Sequence, residues 1–268
     1  LVKVRIDDLE RCPRYAARVL EGATIGPSPL WMQNRLRAVG IRALSNAVDV
    51  TNYVLMECGQ PLHAFDLDKV AGGQVVVRRA KTSEKSVEKM TTLDGKERSL
   101  SADDLCICDE AAPSALAGVM GGATSEVSPT TKRILLESAS FAPGAIRRTA
   151  RRHALHSESS YRFERGVDPE MVAFAQDRAA KLLAETCGAT VAKGRVDVKG
   201  KLPGPRRFAL RFARISEALG TPVPKETTEQ ILGDLGFRLE PKGEGLVEVT
   251  APTWRLDVEG EADCVEEI

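Results

Sequence analysis

From about residue 74 to residue 136 the apolar residues fall into short runs with a period of two. That spacing constrains the fold most, because it buries one face of a sheet and cannot do the same for a helix. Val75-Val76-Val77-Arg78, Met90-Thr91-Thr92-Leu93, Leu105-Cys106-Ile107-Cys108 and Ile134-Leu135-Leu136 read as strands. Asp94-Gly95, between Leu93 and Glu97, is a hairpin signal. Gly118-Val119-Met120-Gly121-Gly122 reads as a glycine-rich turn between strands, where the backbone can approach another group closely or take positive φ. Strand-like runs at 2–6 and 15–20 precede this block.

Helical patterns flank the strands. Ser28 is expected to cap a first helix that begins at Pro29, with Leu30, Trp31, Leu36 and Val39 on one face and Gly40 just past its end. A second helix, roughly Ser45 to Glu57, has Ala47, Val48, Val54, Leu55 and Cys58 as its apolar side. It carries Thr51 and Asn52, and its end is expected to bring them near His63. A third follows Pro143 through Arg147, Arg148, Arg151 and Arg152, whose i,i+4 like-charge pairs are unfavourable in isolation. Asp168-Pro169 introduces a long helix with Met171, Val172, Phe174, Ala175, Ala179, Leu182 and Leu183 on or near its buried face, ended by Gly188.

Residues 199–206 combine Gly, Pro and charge with little to bury, the pattern of a linker. Beyond it the order is strand, short helix, helix, hairpin, helix. The expected fold class is therefore mixed α+β, as two domains with a boundary near 200. The chain opens at Leu1 and stops at Ile268 inside a helix-like pattern, so it is expected to be a piece of a longer protein.

Charge narrows the functional classes. Lys and Arg total 38 and Asp and Glu total 38, so bulk positive charge cannot hold a nucleic acid, although clustered Arg leaves room for a local anion-facing patch. No apolar run reaches the ~18–20 residues of a membrane span. The six cysteines are mostly isolated and read as small core residues in a reducing cytoplasm. Catalytic motifs built on GxSxG, HExxH or a P-loop are absent from the sequence.

A few residues stand out. His63 lies in an apolar setting, where a histidine is either a hydrogen-bonded structural group or a functional one. Glu137 ends the run Ile134-Leu135-Leu136 and is either an exposed strand-end carboxylate or a pocket residue. Arg162-Phe163-Glu164-Arg165-Gly166 reads as a salt-bridged surface or an RNA-backbone contact. Asp263, Glu266 and Glu267, with Asp257 nearby, put carboxylates on one side of a helix start. That suits Mg²⁺, a basic partner, or the helix dipole alone.

Several long stretches resemble one family. Pro27-Ser28-Pro29-Leu30-Trp31, Val48-Asp49-Val50-Thr51-Asn52-Tyr53-Val54, Gly59-Gln60-Pro61-Leu62-His63-Ala64-Phe65-Asp66, Ala117-Gly118-Val119-Met120-Gly121-Gly122 and Tyr161 through Pro169 are similar to the bacterial phenylalanyl-tRNA synthetase beta subunit, in its order and spacing. The resemblance implies the end of a preceding domain or a linker at 1–11, an editing domain at 12–198, and a small winged-helix-like domain at 201–268. It implies an α₂β₂ heterotetramer that uses ATP and Mg²⁺ at a synthetic site in the alpha subunit. This chain would hydrolyse tyrosine misattached to tRNA(Phe). By motif, Glu137 would bond the tyrosine hydroxyl and Gly118 would line the pocket. His63, Thr51 and Asn52 would surround the ester and terminal adenosine, with His63 as base or water assisted by a ribose hydroxyl. Ser159 stands where the family usually has a pocket-lining alanine. Asp257, Asp263, Glu266 and Glu267 match positions assigned to Mg²⁺ shared with the alpha subunit at the alpha/beta interface. A non-catalytic tRNA-binding scaffold is the alternative. A DNA-binding module is a third reading, opposed by the zero net charge and the acidic end.

Overall fold

Strand pairing in the first part of the chain builds two five-stranded sheets around a shared core and a separate two-stranded one. The structure, a computed structural model, describes residues 2–202 and 204–268, and divides into two units, Leu1–Leu202 and Pro203–Ile268. The first unit opens with β1 (Lys3–Ile6), β2 (Arg14–Glu21), α1 (Leu30–Ala38) and α2 (Asn46–Cys58). Strands β3 (Leu62–Asp66), β4 (Gln74–Arg79), β5 (Lys89–Thr91), β6 (Glu97–Ser99), β7 (Leu105–Cys108), β8 (Pro113–Leu116), β9 (Met120–Gly121) and β10 (Arg133–Ser140) follow. Then come α3 (Pro143–Arg152), α4 (Glu158–Phe163), α5 (Met171–Cys187), β11 (Thr190–Val191) and β12 (Val196–Lys199).

One sheet runs β1-β4-β7-β8-β9 and the other β11-β2-β10-β3, with β12 also on β2. β10 lies antiparallel to β2 and β3, so its residues sit in the middle of the second sheet. Its two faces serve different cores. Leu135 and Ala139, with Tyr15, Ala17 and Phe65, pack with Val75, Val77, Cys106 and Ile107 of the first sheet. Ile134 and Leu136, with Leu20, Leu62 and Ala64, pack with Val50 and Val54 of α2 and Ala179 and Leu183 of α5. The period of two thus becomes a partition between a sheet-facing and a helix-facing core. Among the described residues no helix is long and apolar enough to cross a membrane.

Several elements differ from the sequence reading. The strand-like run at 2–6 forms β1, which pairs in parallel with β4, so residues expected to be the end of a preceding domain or a linker contribute a strand to this unit. Pro29, not Ser28, occupies the cap of α1, and the Ser28 hydroxyl donates to Asp49 Oδ2 of α2, closing a local tie. Only Met32 and Leu36 of α1 are buried, while Leu30, Trp31 and Val39 are exposed. On α2, Val50 takes the inward place expected of Val48. Phe174 of α5 is exposed. α4 was not legible, being six residues of mostly polar sequence held by a capping box between Ser157 and Ser160. The like-charge pairs of α3 are offset from outside the helix, where Asp103 meets Arg148 and Arg152 and buried Asp104 meets Arg152.

The second unit follows the predicted order: β13 (Arg207–Arg211), α6 (Phe212–Leu219), α7 (Lys225–Asp234), β14 (Arg238–Gly243), β15 (Leu246–Thr250) and α8 (Glu261–Glu266). The sheet order is β13-β15-β14. Its core holds Leu210, Ile215, Leu232, Phe237, Val247, Val249 and Val258.

Candidate functional site

A cavity of about 50 Å³ opens on the sheet-facing side of β10. β3 contributes His63, β10 contributes Glu137, β7 and β8 contribute Ile107, Ala115 and Leu116, and α4 contributes Ser159 and Phe163. The glycine-rich segment forms another wall through Gly118, Val119, Met120 and Gly121. Four of the expected residues therefore converge: His63, Gly118, Glu137 and Ser159. The two carried by α2 do not line the cavity. Thr51 is buried, with its hydroxyl donating to the Val48 carbonyl at 2.7 Å, and Asn52 is half-buried.

Register explains the convergence. Glu137 is directly opposite both Ala17 of β2 and His63 of β3, so all three side chains leave the same face of the sheet. Glu137 is not a strand end. β10 continues to Ser140, and the carboxyl is 6% exposed. Tyr15 donates its phenol proton to Glu137 Oε2 at 2.9 Å, whereas Oε1 makes no hydrogen bond among the described residues. Burial pushes the Glu137 carboxyl up to about 8, against the lowering effect of the Tyr15 bond, so it is mostly protonated at pH 7.

His63 shows the opposite shift from the same cause. Its ring packs edge-on against Phe65, and burial pushes it down to about 4. The residue is partly exposed at its periphery, yet Nε2 is buried without a hydrogen-bond partner among the described residues. A neutral imidazole with an unused nitrogen and a protonated carboxyl thus stand across one strand pair.

Close backbone approach shapes the remaining walls. Gly118 has φ +67°, and a Cβ there would meet Phe141, Ile146 and Phe163 at 2.9–3.0 Å. A Cβ on Gly121 would lie 2.6 Å from His63 Cε1. The Ser157 hydroxyl donates to the Val119 carbonyl at 2.7 Å and fastens α4 to the glycine segment. Sequence reading missed Tyr15, Ile107 and Phe163. Tyr15 acts across a pairing of strands more than a hundred residues apart, and no local signal marks it.

The other candidates make contacts within the chain. His153 Nε2 is 2.7 Å from buried Asp104. Arg162 pairs with Glu158, and Arg165 pairs with Glu164 and stacks over Tyr161. All six cysteines are free, and burial pushes the Cys106 and Cys108 thiols up.

The acidic end of the second unit does not fit a magnesium site by itself. Arg255 bonds Asp257 at 2.6 Å and Glu267 at 2.5 Å. Asp263 accepts from the Glu259 and Gly260 amides at the start of α8. Among the described residues no three His, Cys, Asp or Glu converge to hold a metal ion. Arg255 and the amides at the start of α8 engage Asp257, Glu267 and Asp263 within this chain.

Two family models match. Residues 11–188 match the B3/4 domain, and residues 208–268 match the tRNA synthetase B5 domain. The chain belongs to the B3/4 domain family and continues into a B5 domain. More particularly, it is 54% identical over 267 residues to a phenylalanine–tRNA ligase beta subunit of Anaeromyxobacter dehalogenans, covering 100% of this chain and 33% of that protein. A Geobacter sulfurreducens beta subunit is 51% identical over 99% of this chain and 33% of its own length. The chain thus spans about a third of the curated relatives that it matches. An N-terminal fragment of the phenylalanyl-tRNA synthetase beta subunit from Pyrococcus horikoshii aligns over 99% of this chain and 73% of that one, with TM-score 0.48 and 14% identity, too distant to carry an argument.

Proposed function

We propose that the B3/4 unit is an editing hydrolase of a phenylalanine–tRNA ligase beta subunit, acting on tyrosine esterified to tRNA(Phe). In this reading the chain works in the cytoplasm within an α₂β₂ enzyme. Synthesis of phenylalanyl-tRNA, with ATP and magnesium, belongs to the alpha subunit. The observation that carries the reading is a buried carboxyl group in a cavity walled by Ile107, Leu116 and Phe163, with an unpartnered imidazole nitrogen on the neighbouring strand.

The chemistry follows from satisfaction of that carboxyl. A phenol both donates and accepts, so it can pair with Glu137 in either protonation state. A phenylalanine ring can do neither and would bury Glu137 Oε1 without a partner, at a cost of about 1–3 kcal/mol. Sites built to bond a hydroxyl reject the analogue lacking it by ~10⁴–10⁵, whereas an apolar pocket rejects an added hydroxyl by only ~10². A second, hydroxyl-requiring site therefore complements a synthetic site that admits both amino acids. The enclosed volume of about 50 Å³ is below the ~150 Å³ of an engineered cavity that takes up benzene, so a bound ring extends into the open mouth.

Hydrolysis adds water oxygen to the ester carbonyl carbon and breaks the bond to the terminal ribose oxygen. The products are tyrosine and a free ribose hydroxyl. A general base is most effective near the working pH, and His63 is far below it. Its neutral Nε2 suits orientation of the water, with the ribose hydroxyl assisting. Thr51 and Asn52, outside the cavity, act through the nucleotide in this reading.

The test is hydrolysis of tyrosyl-tRNA(Phe) by the intact heterotetramer carrying this segment, with Glu137→Ala and His63→Ala beside it and phenylalanyl-tRNA(Phe) as control. Fast tyrosine release that Glu137→Ala abolishes, with phenylalanine spared, is expected. No release above the spontaneous rate, with aminoacylation intact, would leave a tRNA-binding scaffold instead.

A further inference from the structure

We propose that Tyr15 is a specificity-determining positioning residue: its phenol fixes the Glu137 carboxyl so that Oε1, not Oε2, is presented to the hydroxyl of the bound ring. The proposal rests on the reading of the cavity as a tyrosyl-ester site.

Tyr15 is fully buried and does not line the cavity, so it can act only through Glu137. It lies two residues before Ala17, the direct cross-strand partner of Glu137, and therefore shares its face diagonally. Its hydroxyl proton is committed to Oε2 at 2.9 Å. The terminal torsion of a glutamate is broad and roughly two-fold, so an untethered carboxyl would present either oxygen in many orientations. The tether removes that freedom before a ligand arrives, and pre-organisation of this kind raises discrimination.

The surroundings leave Tyr15 without a substitute. From β2 the face presents Tyr15 and Ala17, and from β3 it presents His63. The Cys12 thiol lies close enough to feel the Glu137 charge. His63 and Cys12 are both uncharged near neutrality, the first lowered and the second raised by burial. Among the described residues, the Tyr15 hydroxyl alone donates a hydrogen bond to this carboxyl.

The experiment uses the intact heterotetramer with Tyr15→Phe, which keeps the ring and removes the tether. Tyrosyl- and phenylalanyl-tRNA(Phe) hydrolysis are measured from pH 6 to 9, with Glu137→Ala in parallel and a melting curve for each protein. The tyrosyl-over-phenylalanyl preference is expected to fall up to about tenfold, the size of one lost hydrogen bond between neutral groups. The Glu137 inflection is expected to move to higher pH, because the bond that favours the carboxylate is gone. A variant that melts lower but keeps both the preference and the inflection would overturn the proposal and leave the pocket reading intact. If Glu137→Ala retains tyrosine-selective hydrolysis, the pocket reading itself fails, and the role of Tyr15 with it. Should Tyr15→Phe not fold, 3-fluorotyrosine at position 15 keeps shape and tether while strengthening the donor. An inflection shifted to lower pH then supports the proposal, and an unmoved one overturns it.

Discussion

Glu137 and His63 face each other across two strands and titrate in opposite senses, so their contributions to stability run against each other with pH. Glu137 is raised from 4.5 to about 8. Its contribution is fully present below about 4.5 and is lost as pH rises toward 8. His63 is lowered from 6.5 to about 4. Its contribution is present above about 6.5 and is lost as pH falls toward 4. Replacing Glu137 with Gln is expected to flatten the loss of stability between pH 5 and 8, and His63→Ala the loss between pH 6.5 and 4. Urea unfolding at a series of pH values checks both. At Gly121, an added methyl must displace the His63 ring. Gly121→Ala is expected to slow tyrosine release about tenfold or more, with overpacking of about 1–3 kcal/mol visible in the melting curve. The sequence marked His63, Glu137 and the glycine segment as unusual, because a charged or turn residue in an apolar run is a local contrast. Tyr15 offered no contrast, since a tyrosine in a strand is ordinary and its partner is a matter of register.

The helices show a similar division between local and tertiary causes. α2 starts at Ser45, whose side chain accepts from the Val48 amide, and ends at left-handed Gly59, both readable from residue type. The inward face of α1 was not readable, because only two of its apolar residues meet a neighbour. α3 depends on one buried carboxylate. Asp104 receives Thr149 at 3.1 Å, His153 at 2.7 Å and Arg152. Asp104→Ala is expected to destabilise the first unit by about 3 kcal/mol, at the low end for a broken buried pair because Arg152 keeps a third of its surface in water. Since Ile146 of α3 touches the space beside Gly118, tyrosine hydrolysis should weaken at temperatures below the main melt. A thermal scan of activity against circular dichroism tests this.

For the molecule as a whole, each unit has its own core, and no residue belongs to more than one of the three apolar clusters. Leu232→Ala is expected to cost about 2–5 kcal/mol, comparable with the entire stability of a unit as small as the second one. Hydrogen exchange should show protection lost across β13 to α8, with β2, β3 and β10 unchanged; a uniform loss would refute separate cores. The mixed α+β class and the strand–helix–helix–hairpin–helix order of the second unit were legible, because each rests on short-range periodicity and turn residues. The pairing of β10 between β2 and β3 was not, because it joins segments far apart in sequence. That pairing has a consequence for redesign. Positions 135, 137 and 139 face the first sheet, where 137 reaches the cavity and 135 and 139 pack in the core, while 134 and 136 meet the helices. A library that varies position 137, together with 63 and 159, would explore new ligand shapes while 135, 139 and the helix-packed half of the unit keep their sequence. Selection for binding and selection for folding could then be run on different residues of one strand.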